Sequence, residues 1–252
     1  MSVIIAASAS DPEAARVSAE LRARDISVTF LDTTAFPETS HLSIGQTRLD
    51  VPTSVYVRQL AWHPLSPGHE ADLAERPRGL IAQCEEKRAM LESLLLMLQQ
   101  QGSALINSLE ANYQHRRKPY QLALLEGRGL PVPRWLATNN PDHVREFVRS
   151  VGQAVYKPLA GGATVRLVEK RDLSKQRLAA LAVAPVLFQE YIRGAAVRAY
   201  VVGRRVVAAA EIHSSEIDYR RDEAAVVPTR VSRAERAACF AAARACGMAF
   251  TG

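Results

Sequence analysis

A single cation placed at the end of an apolar run is the first feature of this sequence that could do chemistry. In "QAVYKPLAGGATVRLVEK" that cation is Lys157, and Gly161 and Gly162 follow it closely. Two readings are open on this stretch alone. A surface lysine can close a strand before a glycine turn, or a cation can stand beside a backbone loose enough to approach an anion. Other charged groups recur in order along the chain. Lys118 precedes a helical pattern, and Arg198 and Arg220 carry guanidinium forks of the kind that bind oxyanions. The segment "AAEIHSSEIDYRRD" adds Glu211, His213, Glu216 and Asp218. Strand alternation would set Glu211 and His213 on one face, but no spacing there fixes a metal. His213 therefore reads as a substrate-side or structural residue rather than a ligand.

The elements that must position these groups fall into two patterns. Over the first hundred residues, strand-like runs ("SVIIAAS", "ISVTFLD", "SVYVRQL") alternate with helical stretches, which argues a small α/β layer domain. Asp11-Pro12 supplies a cap and first-turn proline for a helix reaching about Arg24. The clearest helix is "LIAQCEEKRAMLESLLLMLQQQG", with Met90, Leu94 and Leu98 on one face and Gly102 as its stop. Beyond "SALINS", Pro119 suits the first turn of a helix through Glu126. Then come the strand "RWLAT", a capped helix, the strand ending at Lys157, a return strand "TVRLVEK", a helix from Asp172 and the strand "PVLFQEYI". "VRAYVVGRRVVAAAEI" reads as a hairpin turning at Gly203-Arg204. Ser232 and Glu235 form a capping box for a last helix that stops at Gly247. The final "MAFTG" begins like a strand and stops before it has a partner.

Composition narrows the class. At 252 residues, with 48% apolar and 23% charged residues, the chain suits one large domain or two to three small ones. No apolar run is long enough to span a bilayer, and the start lacks the basic region of a signal peptide. Three cysteines without a C-x-x-C pair argue against a disulfide framework or structural zinc and point to a reducing cytoplasm. A net charge of +6 favours an anionic partner. P-loop, zincin, serine-hydrolase and dinucleotide signatures are absent.

Taken in order, "KPYQLALLEGRGLPVPRWLATNNP", "VYKPLAGG", "LFQEYI", "VRAYVVGRRVVAAAEIHS" and "DYR" resemble the ATP-grasp superfamily. Within it, the chain is similar to ligases that modify peptides: those that add glutamate to ribosomal protein tails, and the microviridin-type maturases. The resemblance covers roughly residues 105–252, with 1–104 matching only in pattern. It implies an α+β ATP-grasp fold: an α/β pre-ATP-grasp domain over 1–104, a lid subdomain over 105–185 and a large subdomain over 186–252, incomplete at its C-terminal end. By the same resemblance Lys118 and Lys157 grip ATP phosphates, while Gly161 and Gly162 belong to a flap over them. Gln189, Glu190, Tyr191 and Ile192 form the edge that holds adenine. Arg198 and Arg220 take the catalytic role of stabilising the phosphate or acyl phosphate. Mg2+ is implied as well, with its ligands expected beyond residue 252.

One departure from the family pattern bears on nucleotide binding. Where relatives place an acidic residue for ribose, this chain has Ala195 and Ala196. The expected activity is an ATP-dependent carboxylate–amine or related ligase working through an acyl phosphate on a peptide or protein; the net charge admits a nucleotide, an acidic peptide or nucleic acid as the anionic partner and does not choose among them. The competing reading is a truncated, non-catalytic nucleotide- or peptide-binding module. Nucleic-acid binding through "HRRK" and "RRD" is weaker, because no recognisable reader accompanies those charges. No membrane association is expected, and a homo-oligomer is left open.

Overall fold

The computed structural model describes residues 1–38, 42–45, 50–60, 64–65, 68–160, 164–218 and 225–252. Its contacts divide the chain into two units, Met1–Leu109 and Glu110–Gly252. The first holds β1 (Ser2–Ala7), α1 (Pro12–Arg22), β2 (Ser27–Asp32), β3 (Ser54–Val57), α2 (Glu70–Glu75), α3 (Pro77–Gln100) and β4 (Ala104–Ile106). Its four strands are all parallel, in the order β2-β1-β3-β4. Each step between parallel neighbours needs a crossover, which is what the alternating pattern of strand and helix supplies.

Local chemistry explains these elements. The Asp11 side chain accepts from Ala14 N at 2.8 Å and caps α1, with Pro12 in the first turn. Val3, Ile5 and Ala7 alternate inward on β1 and pack on Ala14 with Val17 and Leu21 at their border. In α3 the buried face is Leu80, Cys84, Leu91, Leu94, Leu95 and Leu98, so Leu91 and Leu95 belong to the core stripe and Met90 lies at its margin. Gly102 follows with φ +103, a conformation that favours glycine and ends the helix run.

The second unit contains α4 (Leu109–Tyr113), α5 (Lys118–Glu126), β5 (Trp135–Thr138), α6 (Pro141–Val151), β6 (Ala154–Pro158), β7 (Arg166–Leu167), α7 (Lys175–Ala179), β8 (Val186–Glu190), β9 (Ala196–Val202), β10 (Arg205–His213), β11 (Ala225–Pro228), α8 (Arg233–Ala245) and β12 (Phe250–Thr251). They form two four-stranded sheets, β5-β8-β6-β7 and β11-β10-β9-β12. All pairings in both are antiparallel. The strand at 186–190, assigned from sequence to the start of the large subdomain, is bonded between β5 and β6 and belongs to the first of these sheets. The closing segment does find a partner: Phe250 and Thr251 pair with Val202 and Val201 of β9.

Helices α6 and α7 cover one face of the first sheet. Val144, Leu178, Leu181 and Phe188 are buried together there, with Leu136, Phe147 and Tyr156 packed against them. The Tyr156 and Phe188 rings lie 6.3 Å apart across the β6–β8 pair. Ser232 and Glu235 make the reciprocal bonds of a capping box at the start of α8.

Candidate functional site

Register decides where Lys157 points. Tyr156 pairs with Phe188 on the helix-covered face, so the next pair, Lys157 and Leu187, lies on the opposite face. Val155 and Gln189 share that second face, and extending the register by one pair brings Tyr191 to it. Leu187 is completely buried and Gln189 is 6% exposed, so the face that carries Lys157 is itself covered. Three residues singled out from sequence, Lys157, Gln189 and Tyr191, therefore line one surface.

Lys118 reaches the same strand end from a different element. It opens α5, with Pro119 locking the first turn. Its Nζ donates to Leu159 O at 3.3 Å and to His115 O at 3.1 Å. Leu159 stands two residues past Lys157. Two lysines separated by 39 positions in the chain thus converge on one backbone segment. Sequence reading had no signal for Leu159, because its contribution is a carbonyl rather than a side chain.

The adenine edge assigned from sequence is partly committed to the sheet. Glu190 N donates to Arg134 O at 2.8 Å and Tyr191 N to Gln153 O at 2.9 Å. Those two amides are used. Ile192 lies just past the end of β8 and is 59% exposed, so its amide takes no part in the sheet.

Arg198 and His213 are separated by an irregularity in the β9–β10 hairpin. Gly203, at φ +57, makes the tight turn, and Val202 pairs with Arg205 beside it. A regular hairpin continued from there would set Arg198 opposite Ala209. The register instead shifts between Val206 and Ala208, and Arg198 lies opposite Ala210. One extra residue reverses every side chain beyond it. Arg198 consequently occupies one face of the pair, and Glu211 and His213 the other. His213 Nε2 lies 3.5 Å from Glu211 Oε1 on that shared face.

Asp218 is only 4% exposed, and its Oδ2 accepts from Val165 N at 2.9 Å. Gly161, Gly162 and Arg220 lie outside the described residues. Among the described residues no three His, Cys, Asp or Glu side chains gather so as to hold a metal ion. The residues present fit a nucleotide through the ammonium groups and the backbone edge. The described residues define no Mg2+ site.

The comparisons give this geometry a family. The RimK-like ATP-grasp domain matches residues 115–252, more than half of the chain, and the chain belongs to that family. A probable alpha-L-glutamate ligase of Saccharophagus degradans is 33% identical over 159 residues, covering 58% of this chain and 53% of that protein. The chain thus spans about half the length of the curated relatives it matches. Among solved structures, the ATP-grasp ligase PsnB, complexed with a phosphomimetic variant of its minimal precursor, Mg and ADP, superposes with a TM-score of 0.90. It is 36% identical over 99% of this chain and 84% of that one. The macrocyclase MdnC of Microcystis aeruginosa MRC, bound with precursor peptide MdnA, is 20% identical, with a TM-score of 0.80 over 99% of this chain and 85% of that one; it shares the fold. No helix among the described residues is long and apolar enough to cross a membrane.

Proposed function

We propose that the chain is an ATP-dependent ligase that phosphorylates a carboxylate of a peptide or protein and passes the acyl group to an amine or related nucleophile. The observation that carries this reading is the convergence of Lys118 and Lys157 on the segment at Leu159. Phosphoryl transfer asks little covalent chemistry of a protein and depends on positioning and on neutralising charge. Two ammonium groups from separate elements can hold the α- and β-phosphates while the γ-phosphoryl faces the acceptor. Adenine would lie along Glu190, Tyr191 and Ile192, with Gln189 and Tyr191 on the lysine-bearing face. Since the Glu190 and Tyr191 amides are already bonded, the free edge at Ile192 is the better purine contact.

Roles for the remaining residues follow from their charge. Arg198 and Arg220 stabilise the transferred phosphate and the acyl phosphate, with Mg2+ supplying further neutralisation when bound. Gly161 and Gly162 lie against the phosphates. His213 serves the substrate side, on the face of β10 away from Arg198. The lid runs on through Glu190, since β8 completes its sheet. The solved PsnB complexes with precursor peptide and ADP support a peptide acceptor here. The basic balance of the chain supports an acidic one.

The test follows the oxygen. Peptides bearing glutamate and aspartate with 18O-labelled side-chain carboxylates are incubated with the protein, ATP and Mg2+. An acyl phosphate delivers one labelled oxygen to each inorganic phosphate released, which 31P NMR resolves as an isotope-shifted line. Unlabelled phosphate accompanying ligated product, or AMP in place of ADP, would contradict the proposed route.

A further inference from the structure

The connection between β6 and β7 is held at both ends by charges from outside the sheet. At its start the Lys118 ammonium meets the Leu159 carbonyl at 3.3 Å. At its far end the Asp218 carboxylate meets the Val165 amide at 2.9 Å, across 53 positions of sequence. Each contact pairs a formal charge with a backbone dipole of matching sense, the stronger class of hydrogen bond. Asp218 is nearly fully buried. A carboxylate in that setting carries a large desolvation cost unless hydrogen bonds compensate it. The hydrogen bond from Val165 N offsets part of that cost.

The register shows what it holds. Val155 pairs with Leu167 and Tyr156 with Arg166, so one step further Val165 comes opposite Lys157. Asp218 fixes the chain at that position through the Val165 amide.

We propose that Asp218 is a positioning residue for nucleotide binding: by accepting from Val165 N it fixes the backbone opposite Lys157 and so aims that lysine at the phosphates. The proposal rests on the nucleotide reading above. It also gives the buried carboxylate a task other than metal ligation.

The test compares Asp218→Ala with Asp218→Asn, whose amide oxygen still accepts from Val165 N. Calorimetric titration with ADP, with and without Mg2+, is run beside hydrogen exchange of the peptide covering residues 164–169. Asp218→Ala should bind ADP about tenfold more weakly than wild type and exchange at least tenfold faster in that peptide. Asp218→Asn should stay within threefold of wild type in both, a rescue that an absent side chain cannot give. Should Asp218→Ala fold poorly, Val165→Pro removes the donor from the other side and should weaken ADP to the same degree. Unchanged affinity and exchange in Asp218→Ala would overturn the proposal. So would an Asp218→Asn variant as weak as Asp218→Ala and deaf to Mg2+, which would make Asp218 a metal ligand. Failure of the wild type to bind ADP at all would instead overturn the nucleotide reading, and this role with it.

Discussion

Lys118 Nζ lies 3.3 Å from the carbonyl oxygen of Leu159, which ties the first residue of α5 to the strand end that carries Lys157. An ammonium satisfied by carbonyl dipoles keeps its full positive charge. An incoming phosphate, itself anionic, is a stronger partner than either carbonyl.

Lys118→Ala is expected to weaken ADP binding about tenfold, roughly 1.4 kcal/mol. Lys118→Arg should recover only part of it, since the guanidinium fork is a poor copy of a point charge on a flexible stem. Calorimetric titration of the three proteins measures both effects.

Lys157→Met should reduce nucleotide affinity by a similar factor while leaving urea stability nearly unchanged. The methionine stem can still lie along Leu187 across the strand pair. A stability loss as large as that of a core mutant would mean that Lys157 serves packing.

Leu187→Ala supplies that core reference. The side chain is completely buried opposite Lys157, and its truncation should cost about 3 kcal/mol. Urea unfolding read by circular dichroism reports it.

Acid should find Asp32. Burial works against its carboxylate, but the Thr34 hydroxyl and the amides of Thr34, Ala35 and Ala9 together hold its pKa below the ordinary value. A carboxyl depressed in the folded state stabilises the fold above its unfolded pKa of about 3.9. That contribution disappears as pH falls through the lower, folded value. Wild type should therefore exceed Asp32→Ala in stability at pH 6, and the gap should close as pH falls below about 4. A gap that is constant with pH would contradict the assignment.

Much of the fold was legible because its signals are local. Asp11-Pro12, Pro119, Gly203 and the Ser232–Glu235 box each mark a helix end or turn within a few residues of sequence. What escaped depends on pairing between distant segments. Ala225–Pro228 is a short edge strand, exposed throughout and ending in proline, and only its bonding to β10 makes it a strand. Phe250–Thr251 gains strand character from β9 in the same way. Strand alternation correctly put Glu211 and His213 on one face, but could not say that Arg198 faces the other way. The shift between Val206 and Ala208 that reverses it has no mark in a run of valines and alanines. The Asp218–Val165 contact was hidden for a similar reason, since its acceptor sits far along the chain from an unremarkable amide.

The central claim is that lysines from α5 and β6 grip one nucleotide, and calorimetry on the Lys118→Ala, Lys157→Met and double variants addresses it most directly. Wild type should bind ATP saturably at one site in the presence of Mg2+. Each single variant should lose about tenfold in affinity, and the double variant should lose at least as much as either. Nucleotide binding of equal strength in all four proteins would contradict the account, because the phosphates would then be held by other residues.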